Sequence, residues 1–497
     1  MATAAPQRVY RAPCPGCGAP VDFLSAQSTH AVCAYCHSTI VRSGETLQRI
    51  GKMAEVFQDY SPLQLMASGR WNGHGFTIVG RLQFKSDEGM WSEWHAALDD
   101  GTSAFLAEDN GSYVFTHEVT LPIPAPVALA LRVGAATAID GRTYSVAFRG
   151  QATVLAAEGE LAHFRQTGVP FELAELRSDD GRVLSIEYDS DPPAVSRGEP
   201  VALEALQLSG LRSGSEKAES GRQFNCPNCG APVEVRLADS KTITCPSCHS
   251  IIDLTSGTGG ELRHATQDEP VQPQIPLGST GTLQGTPWQV VGFQHRMGKE
   301  PGDDESFGWS EYLLYNQQKG FTFLVDASDG WSIVKPATGA PKAKEGDPSV
   351  SYLGTTYKLE SRYKAETGYV AGEFYWPVAR GDITDNADYD SGRNLLSRER
   401  SRNEVTWSMG SRIDSDAVAT AFGLSDRKQQ LQRSGGSGKP RSPIGCLTVA
   451  LILVVLIILV LLLSQCSSSG SGSGSSGSSY RTSGGSFGGS SSGGGHK

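Results

Sequence analysis

The chain has 497 residues, of which 38% are hydrophobic and 19% are charged, and its formal net charge is −10. This length allows several domains of ordinary size. The acidic balance argues against a nucleic-acid-binding protein, which more often shows a basic patch or stripe. The N-terminal stretch MATAAPQRVYRAPC has no apolar core, so it is not expected to be a secretory signal.

Eight of the ten cysteines form four C-x-x-C pairs, and the pairs are joined two by two through fifteen residues. This spacing predicts a zinc ribbon at residues 8–42 and a second at 222–254. Four thiolates fill a tetrahedral shell, so we expect one structural Zn²⁺ in each ribbon. The predicted ligands are Cys14, Cys17, Cys33, Cys36, Cys226, Cys229, Cys245 and Cys248.

Two alternatives to zinc are a rubredoxin-like iron and disulfides. Iron is disfavoured because His37 and His249 stand where a rubredoxin would have glycine. Disulfides are disfavoured because we expect these cysteines to face a reducing compartment. The two histidines are not expected to be ligands, since four cysteines already complete each shell.

The chain is a tandem repeat. CPGCGAPV (14–21) returns as CPNCGAPV (226–233), and FTIVG (76–80) returns as WQVVG (288–292), both 212 residues later. The motifs WSE (91–93) and GEL (159–161) have counterparts in WSE (309–311) and GEF (372–374). The repeated unit is therefore a ribbon followed by a larger domain.

The larger domains are predicted to be antiparallel β domains, barrel- or sandwich-like, at 60–200 and 276–415. Apolar residues alternate at Phe76, Ile78, Leu82 and Phe84, which is the period of a half-buried strand. Asn-Gly at 110–111 and Asp-Gly at 329–330 predict tight hairpin turns.

Composition predicts linkers at 201–221 and 255–275, a basic linker at 416–442 and a disordered Gly/Ser-rich tail at 465–497. Residues 443–464 include CLTVALILVVLIILVLLL, which has no charge and is long enough for a transmembrane helix. Basic residues precede this span more densely than they follow it. The positive-inside rule therefore predicts a single-pass inner-membrane protein with its bulk in the cytoplasm and its tail outside.

Four glutamates recur with the repeat: Glu93 and Glu311 in the WSE motifs, and Glu160 and Glu373 in the GEL and GEF motifs. A carboxylate among aromatic residues could act as an acid or base. The favoured alternative is a structural group that duplication copied, solvated or hydrogen-bonded to backbone. No histidine recurs beside these glutamates, so no catalytic pair shared by both copies is visible.

The V-x-G or V-V-G strand, the W-x-E motif and the closing G-E-L or G-E-F resemble the bacterial family of domain of unknown function 4178. This resemblance covers both β domains and implies a role in membrane or envelope stress by association, with no catalytic residues assigned. Together the features predict a membrane-tethered, non-enzymatic binding or scaffold protein, with the lipid bilayer and a protein at the inner membrane face as partners. The alternatives are an enzyme with a carboxylate site near Glu93 or Glu311, and a nucleic-acid-binding zinc-ribbon protein.

Overall fold

The computed structural model describes residues 10–433, except 26, 44–45, 55–60, 110, 213–221, 238–239, 255–262, 268–270, 317–318 and 343–346. The predicted membrane span 443–464 and the predicted tail 465–497 lie outside the described residues. Within the described ranges, no helix is both long and apolar enough to cross a bilayer.

The first unit begins with the ribbon, whose two knuckles each connect a pair of antiparallel strands. A further strand then extends the second pair. These strands are β1 (Tyr10–Pro13), β2 (Pro20–Phe23), β3 (His30–Val32), β4 (Ser38–Ser43) and β5 (Thr46–Lys52). The larger domain follows with β6 (Ser68–Trp71), β7 (His74–Lys85), β8 (Met90–Leu98), β9 (Ser103–Asp109), β10 (Ser112–Glu118), β11 (Ala136–Ile139), β12 (Arg142–Leu161), β13 (Phe171–Arg177), β14 (Val183–Glu187) and β15 (Ala194–Pro200).

The second unit repeats this order and adds two short helices. Its ribbon contains β16 (Arg222–Asn225), β17 (Pro232–Val235), β18 (Thr242–Thr244), β19 (Ile251–Asp253) and β20 (His264–Ala265). Its larger domain contains β21 (Thr280–Leu283), β22 (Thr286–Lys299), β23 (Ser306–Asn316), β24 (Gly320–Ala327), β25 (Gly330–Pro336), β26 (Ser349–Tyr352), β27 (Thr355–Phe374), β28 (Ile383–Ser391), β29 (Asn394–Arg400) and β30 (Val405–Ile413). The helices are α1 (Ser415–Ala421) and α2 (Lys428–Leu431).

In the described part of each unit, eight antiparallel strands close into a barrel. The first barrel runs β7-β8-β9-β10-β15-β14-β13-β12 and closes where β12 pairs with β7. The second runs β22-β23-β24-β25-β30-β29-β28-β27 and closes where β27 pairs with β22. The prediction of mainly β domains is therefore confirmed, and the Asp-Gly turn does join β24 to β25.

The sequence predicted that β7 buries one face only, and this is wrong. The pairing of β7 with β8 shifts register between Ile78 and Gly80. Phe76 and Ile78 consequently pack in one buried cluster, while Leu82 and Phe84 pack in another. Both faces of the strand are buried, one inside the barrel and one beneath the segments that cover it.

The ribbons are built onto the barrels. Strand β12 is 20 residues long, and its last residues pair with ribbon strand β3 after the earlier ones have paired with β7. In the second unit, the end of β27 pairs with β18 in the same way. Each ribbon hairpin thus continues a barrel strand, so ribbon and barrel form one unit.

Parts of the segments that we predicted as linkers are packed against the barrels. In the 255–275 segment, β20 pairs with β19, and the Gln267 side chain hydrogen-bonds both the backbone N–H and the carbonyl of Val370. In the 416–442 segment, Val418 of α1 and Leu431 of α2 are buried in a cluster on the outer face of the second barrel. Hydrogen bonds therefore hold the described part of the first segment in place, and apolar burial holds that of the second.

The two barrels contact each other through different faces. Backbone of β12 in the first barrel meets the turn between β29 and β30 in the second, with a bridge between Phe148 and Glu404. Nearby, Arg177 Nη1 donates to the carbonyl of Thr338 at 2.6 Å. The two units therefore contact each other through non-equivalent surfaces, an arrangement called head to tail. As a result, the second barrel has neighbours that the first barrel does not have.

Candidate functional site

Each set of four predicted cysteines comes together in one cluster. Within each cluster, the sulfur atoms lie within 4.8 Å of one another. The pairs Cys14–Cys36 and Cys17–Cys33 are 3.7 Å apart, as are Cys226–Cys248 and Cys229–Cys245. These distances are too long for disulfides. They match the edge of a tetrahedron with metal–sulfur bonds of about 2.3 Å, which is about 3.8 Å.

The backbone around each cluster explains the repeated residues of the knuckles. Gly18 and Gly230 have φ values of 78° and 75°, and His37 and His249 take the equivalent left-handed position in the second knuckle of each ribbon. Neither histidine belongs to its cysteine cluster. The residues present thus fit a closed, four-thiolate metal site of the structural type, and Zn²⁺ remains our prediction for the ion.

The recurring glutamates of the GEL and GEF motifs fasten the ribbons to the barrels. Glu160 accepts hydrogen bonds from the backbone N–H groups of Leu24 and Ser25, at 2.5 and 2.9 Å. Glu373 accepts from Leu237 N at 2.9 Å and from Ser240 Oγ at 2.7 Å, and also from the backbone N–H of Arg236. Burial raises the pKa of both carboxyls. These contacts favour the structural interpretation of the pair.

The motif glycines form the other half of the same contact. A Cβ at Gly80 would overlap the carbonyl oxygen of Glu160, and one at Gly292 would come within 2.7 Å of the carbonyl oxygen of Glu373. The V-x-G and G-E motifs are therefore two sides of one close backbone crossing. This crossing lies where the barrel closes and the ribbon attaches.

The glutamates of the WSE motifs are buried inside the barrels. Glu93 and Glu311 are 5% and 1% exposed, respectively. Glu311 accepts from Trp309 Nε1 at 2.6 Å and from Gln294 Nε2 at 2.5 Å. Burial raises the pKa of Glu311 to about 7, against a lowering by Arg296. Neither glutamate lines the cavity described below, so the structure does not place them where a ligand would meet them.

A charged cluster crosses the interior of the second barrel. Arg296 on β22 donates through Nη1 to Glu399 Oε2 on β29 at 3.1 Å, and through Nη2 to Thr384 Oγ1 on β28 at 2.7 Å. Glu311 lies 3.9 Å from the same guanidinium. Two strands separate β22 from β29 around the ring, so this contact passes through the lumen. Arg296 is 1% exposed, and burying such charges costs stability unless they are well paired.

The first barrel provides an internal comparison for this cluster. Phe84 pairs with Trp91 in the first barrel, and Arg296 pairs with Trp309 in the second. Each tryptophan begins a WSE motif, so Phe84 and Arg296 occupy equivalent positions. Leu173 and Asn386 are likewise equivalent, since each pairs with a corresponding glutamate, Glu187 or Glu399. Phe171 and Thr384 lie two residues before them. Apolar residues of the first barrel are thus replaced by Arg296, Thr384 and Asn386 in the second.

These differences change which side chains fill the end of each barrel, which we call its mouth. In the first barrel, the Phe84 ring stacks on Trp91 at 5.1 Å and meets Phe171 at 6.1 Å. Arg165, from the loop after β12, lies 4.1 Å over the Phe171 ring and forms an ion pair with Glu187. At the equivalent loop position the second unit has Val378. An arginine therefore covers the Phe171 ring at the first mouth, and the second unit has no arginine at the equivalent position.

A cavity of about 540 Å³ lies at this mouth of the second barrel. Its lining comes from three places: the end of the second barrel, strands β18–β20 of the second ribbon, and the β7–β8 turn of the first barrel. The barrel contributes Arg296, Thr367, Asp382, Ile383, Thr384, Glu399, Ser401, Glu404 and Thr406, and the loop after β27 contributes Trp376, Pro377, Val378 and Ala379. The ribbon and the turn contribute Thr242, Ile251, Asp253, Arg263, His264, Ala265, Asp87 and Glu88.

Two carboxyl groups from different units meet in this cavity. Burial raises the pKa of Glu404 well above its usual range, and the neighbouring charge of Glu88 adds to the effect. Burial, together with Asp87, also raises the pKa of Glu88. Perturbed carboxyls in a cleft of this size, which is within the range of small-molecule pockets, mark it as a candidate binding site.

The sequence interpretation missed this site. Its residues come from both units and the second ribbon, so no local motif marks it. One signal was present, because the alignment of FTIVGRLQFK with WQVVGFQHRM sets Phe84 against Arg296. An apolar residue that becomes arginine on an inward-facing position is the change to look for in a duplicated β domain.

The comparisons with known proteins concern the two barrels. Residues 65–203 and 276–415 match the family described as Domain of unknown function (DUF4178), and together they make up more than half of the chain. Searches of curated proteins and of solved structures returned no match. The chain therefore belongs to the DUF4178 family and carries its domain twice.

Proposed function

We propose that this chain is a membrane-tethered, non-enzymatic binding protein whose ligand site is the mouth of the second barrel. The observation that carries the proposal is the exchange of Phe84 and Phe171 for Arg296 and Thr384 beside a cavity of about 540 Å³. Polar groups inside a barrel lower stability relative to well-packed apolar ones. A function at that position is the simplest reason for the second copy to keep them.

The other parts of the chain then act as scaffold. The second ribbon supplies one wall of the cavity through β18, β19 and β20, and the first barrel supplies another through Asp87 and Glu88. Each metal site would hold its ribbon in shape, and Glu373 would fix the second ribbon against the barrel. Glu311 and its partners would position Arg296.

The proposed anchor is residues 443–464, with the two units in the cytoplasm. A protein at the inner membrane face would be within reach of the units, in keeping with a role in membrane or envelope stress. Protease treatment of spheroplasts tests the topology. We expect removal of the tail alone, and digestion of residues 1–442 in intact spheroplasts would overturn it.

The binding site can be tested by transplanting the mouth of the first barrel into the second. The variant Arg296→Phe/Thr384→Phe/Val378→Arg supplies the equivalents of Phe84, Phe171 and Arg165, so Glu399 keeps an arginine partner. We would screen a mixed library of small cations, anions and neutral compounds by thermal shift against the full chain. Compounds that stabilise wild type should not stabilise the variant.

The variant's folding is the control for this experiment. The variant should remain folded, because each substitution copies a packing arrangement that the chain already contains in its first unit. A folded variant that keeps every ligand of wild type would place the binding site elsewhere, and a library without any ligand that separates the two proteins would overturn the proposal.

A further inference from the structure

The chemistry of the cavity points to one class of ligand. Resting on the proposed function, we infer that the mouth of the second barrel binds a small organic cation: an ammonium group carried on an apolar stem. Three features of the lining support this ligand: its excess of carboxyl groups over basic groups, the meeting of Glu88 and Glu404 from different units, and its apolar residues.

Carboxyl groups outnumber basic groups among the described residues of the lining. The carboxyl side chains are Asp87, Glu88, Asp253, Asp382, Glu399 and Glu404, and the arginines are Arg263 and Arg296, with His264 as a further basic residue. Both arginines already face acids. Arg296 binds Glu399, and Arg263 lies 3.5 Å from Asp253. The cavity therefore presents to a ligand more carboxyl groups than basic groups can pair, and a bound cation would favour their ionised forms.

Of the other carboxyls, Asp382 interacts with the charge of Arg296, whereas Asp87 and Glu88 come from the β7–β8 turn and Glu404 from the β29–β30 turn. Glu88 interacts with Ser401, and Asp382 accepts a hydrogen bond from Ala379 N at 2.8 Å. The groups that face Glu404 are Glu88, Arg177, Asp109 and Thr406. Arg177 is the basic group among them, and it already donates to the carbonyl of Thr338. A cation near Glu88 and Glu404 would favour their ionised forms.

An apolar wall completes the cavity. It is formed by Trp376, Pro377, Ile383 and Ile251, of which Trp376 is 1% exposed. Such a wall suits the methylene groups of a ligand, because burying them removes apolar surface from water. An anion would gain little here, because Arg296 is already in contact with Glu399 and lies close to Glu311. A purely apolar ligand would leave the buried carboxyls with no compensating charge.

The test uses three probes of equal length: pentan-1-amine, pentan-1-ol and pentanoate. Isothermal titration calorimetry of the full chain in detergent should show the amine binding at least tenfold more tightly than either of the others. Glu88→Gln/Glu404→Gln should weaken amine binding tenfold or more and leave pentan-1-ol unchanged. The control Glu366→Gln, an exposed carboxyl on β27, should bind as wild type does.

A second measurement separates ion pairing from simple packing. Because Glu88 and Glu404 have raised pKa values, binding of the amine should release protons and should tighten as pH rises. Titration in two buffers of different ionisation enthalpy measures that release, which should fall in the double variant. Damage to packing alone would not explain a smaller proton release, because it would also weaken the binding of pentan-1-ol to the apolar wall.

Preference for pentanoate or pentan-1-ol in wild type, or no binding of the amine, would overturn the cation inference. The proposed site stands or falls separately, on whether any compound distinguishes wild type from the Arg296→Phe/Thr384→Phe/Val378→Arg variant. Amine binding that survives both in Glu88→Gln/Glu404→Gln and in the triple variant would assign the amine to a different site and refute the inference.

Discussion

Arg296 Nη1 lies 3.1 Å from Glu399 Oε2 across the lumen of the second barrel, where the first barrel has the ring of Phe84 stacked on Trp91. The same fold thus closes over an apolar core in one copy and over a charged pair in the other. A buried pair of this kind contributes little net stability, but losing one partner leaves a charge stranded.

We expect Arg296→Leu to destabilise the second unit by about 3–5 kcal/mol, because Glu399 would remain buried without its arginine. The double variant Arg296→Leu/Glu399→Leu should recover much of that loss. Denaturant unfolding, followed by the tryptophan fluorescence of the second unit, measures both. The control Arg263→Leu breaks an ion pair whose arginine is 82% exposed, and it should change stability by less than about 1 kcal/mol. Equal loss in the single and double variants would argue against the pair.

Gly80→Ala and Gly292→Ala should each prevent their own barrel from closing properly. The added Cβ would meet the carbonyl oxygen of Glu160 or Glu373, and backbone at a closing strand cannot move aside cheaply. Overpacking of this kind costs about 1–3 kcal/mol or more. The matched control is Gly51→Ala in β5, where the new Cβ would meet no atom within 4 Å. Thermal unfolding midpoints at or near wild type for Gly80→Ala would contradict the crossing.

Metal analysis should find two zinc ions per chain. Cys36→Ser and Cys248→Ser should each lower the ratio to one, because each removes a thiolate from a different cluster. Cys446→Ser, which changes a cysteine outside the clusters, should keep both ions. Iron in place of zinc would correct the identity of the ion but not the site, whereas two ions in Cys248→Ser would remove that cysteine from the ligand set.

Glu373→Gln should release the second metal ion faster to a chelator. The carboxylate accepts from Leu237 N and Ser240 Oγ in the ribbon, and an amide accepts such bonds more weakly. We expect a rate increase of about tenfold, in line with a lost hydrogen bond to a charged group of roughly 1.5 kcal/mol. Glu366→Gln on the same strand should not change the rate. An unchanged rate in Glu373→Gln would mean that the ribbon holds its ion independently of the barrel.

The sequence predicted the parts of the fold that depend on local patterns. The C-x-x-C spacing brought Cys14 and Cys36 together, and the 212-residue repeat identified two β domains. Closure of the barrels was not decided, because alternation at Phe76 and Phe84 is the same for a sandwich and a barrel. The cavity was missed because Glu88 and Glu404 are distant in the chain and meet only through the head-to-tail contact of the two units.

Burial raises the pKa of Glu311 to about 7 from an ordinary value of 4.5. A carboxyl with a raised folded-state pKa stabilises the fold fully at pH values below about 4.5, and this contribution is lost as pH rises through about 7. In wild type, stability of the second unit should therefore fall across this window. In Glu311→Gln that part of the fall should be absent, because glutamine does not ionise.

The measurable quantity is the difference in unfolding temperature between Glu311→Gln and wild type, followed from pH 4.5 to pH 8. We expect it to shift in favour of the variant by several degrees, for a free-energy effect on the order of 2 kcal/mol. Asp388→Asn is the comparison, since burial raises the pKa of Asp388 to about 8 and its window should extend to higher pH. Parallel profiles for wild type and Glu311→Gln would show that Glu311 stays ionised throughout, because Arg296 and the hydrogen bonds from Trp309 and Gln294 then fully offset its burial.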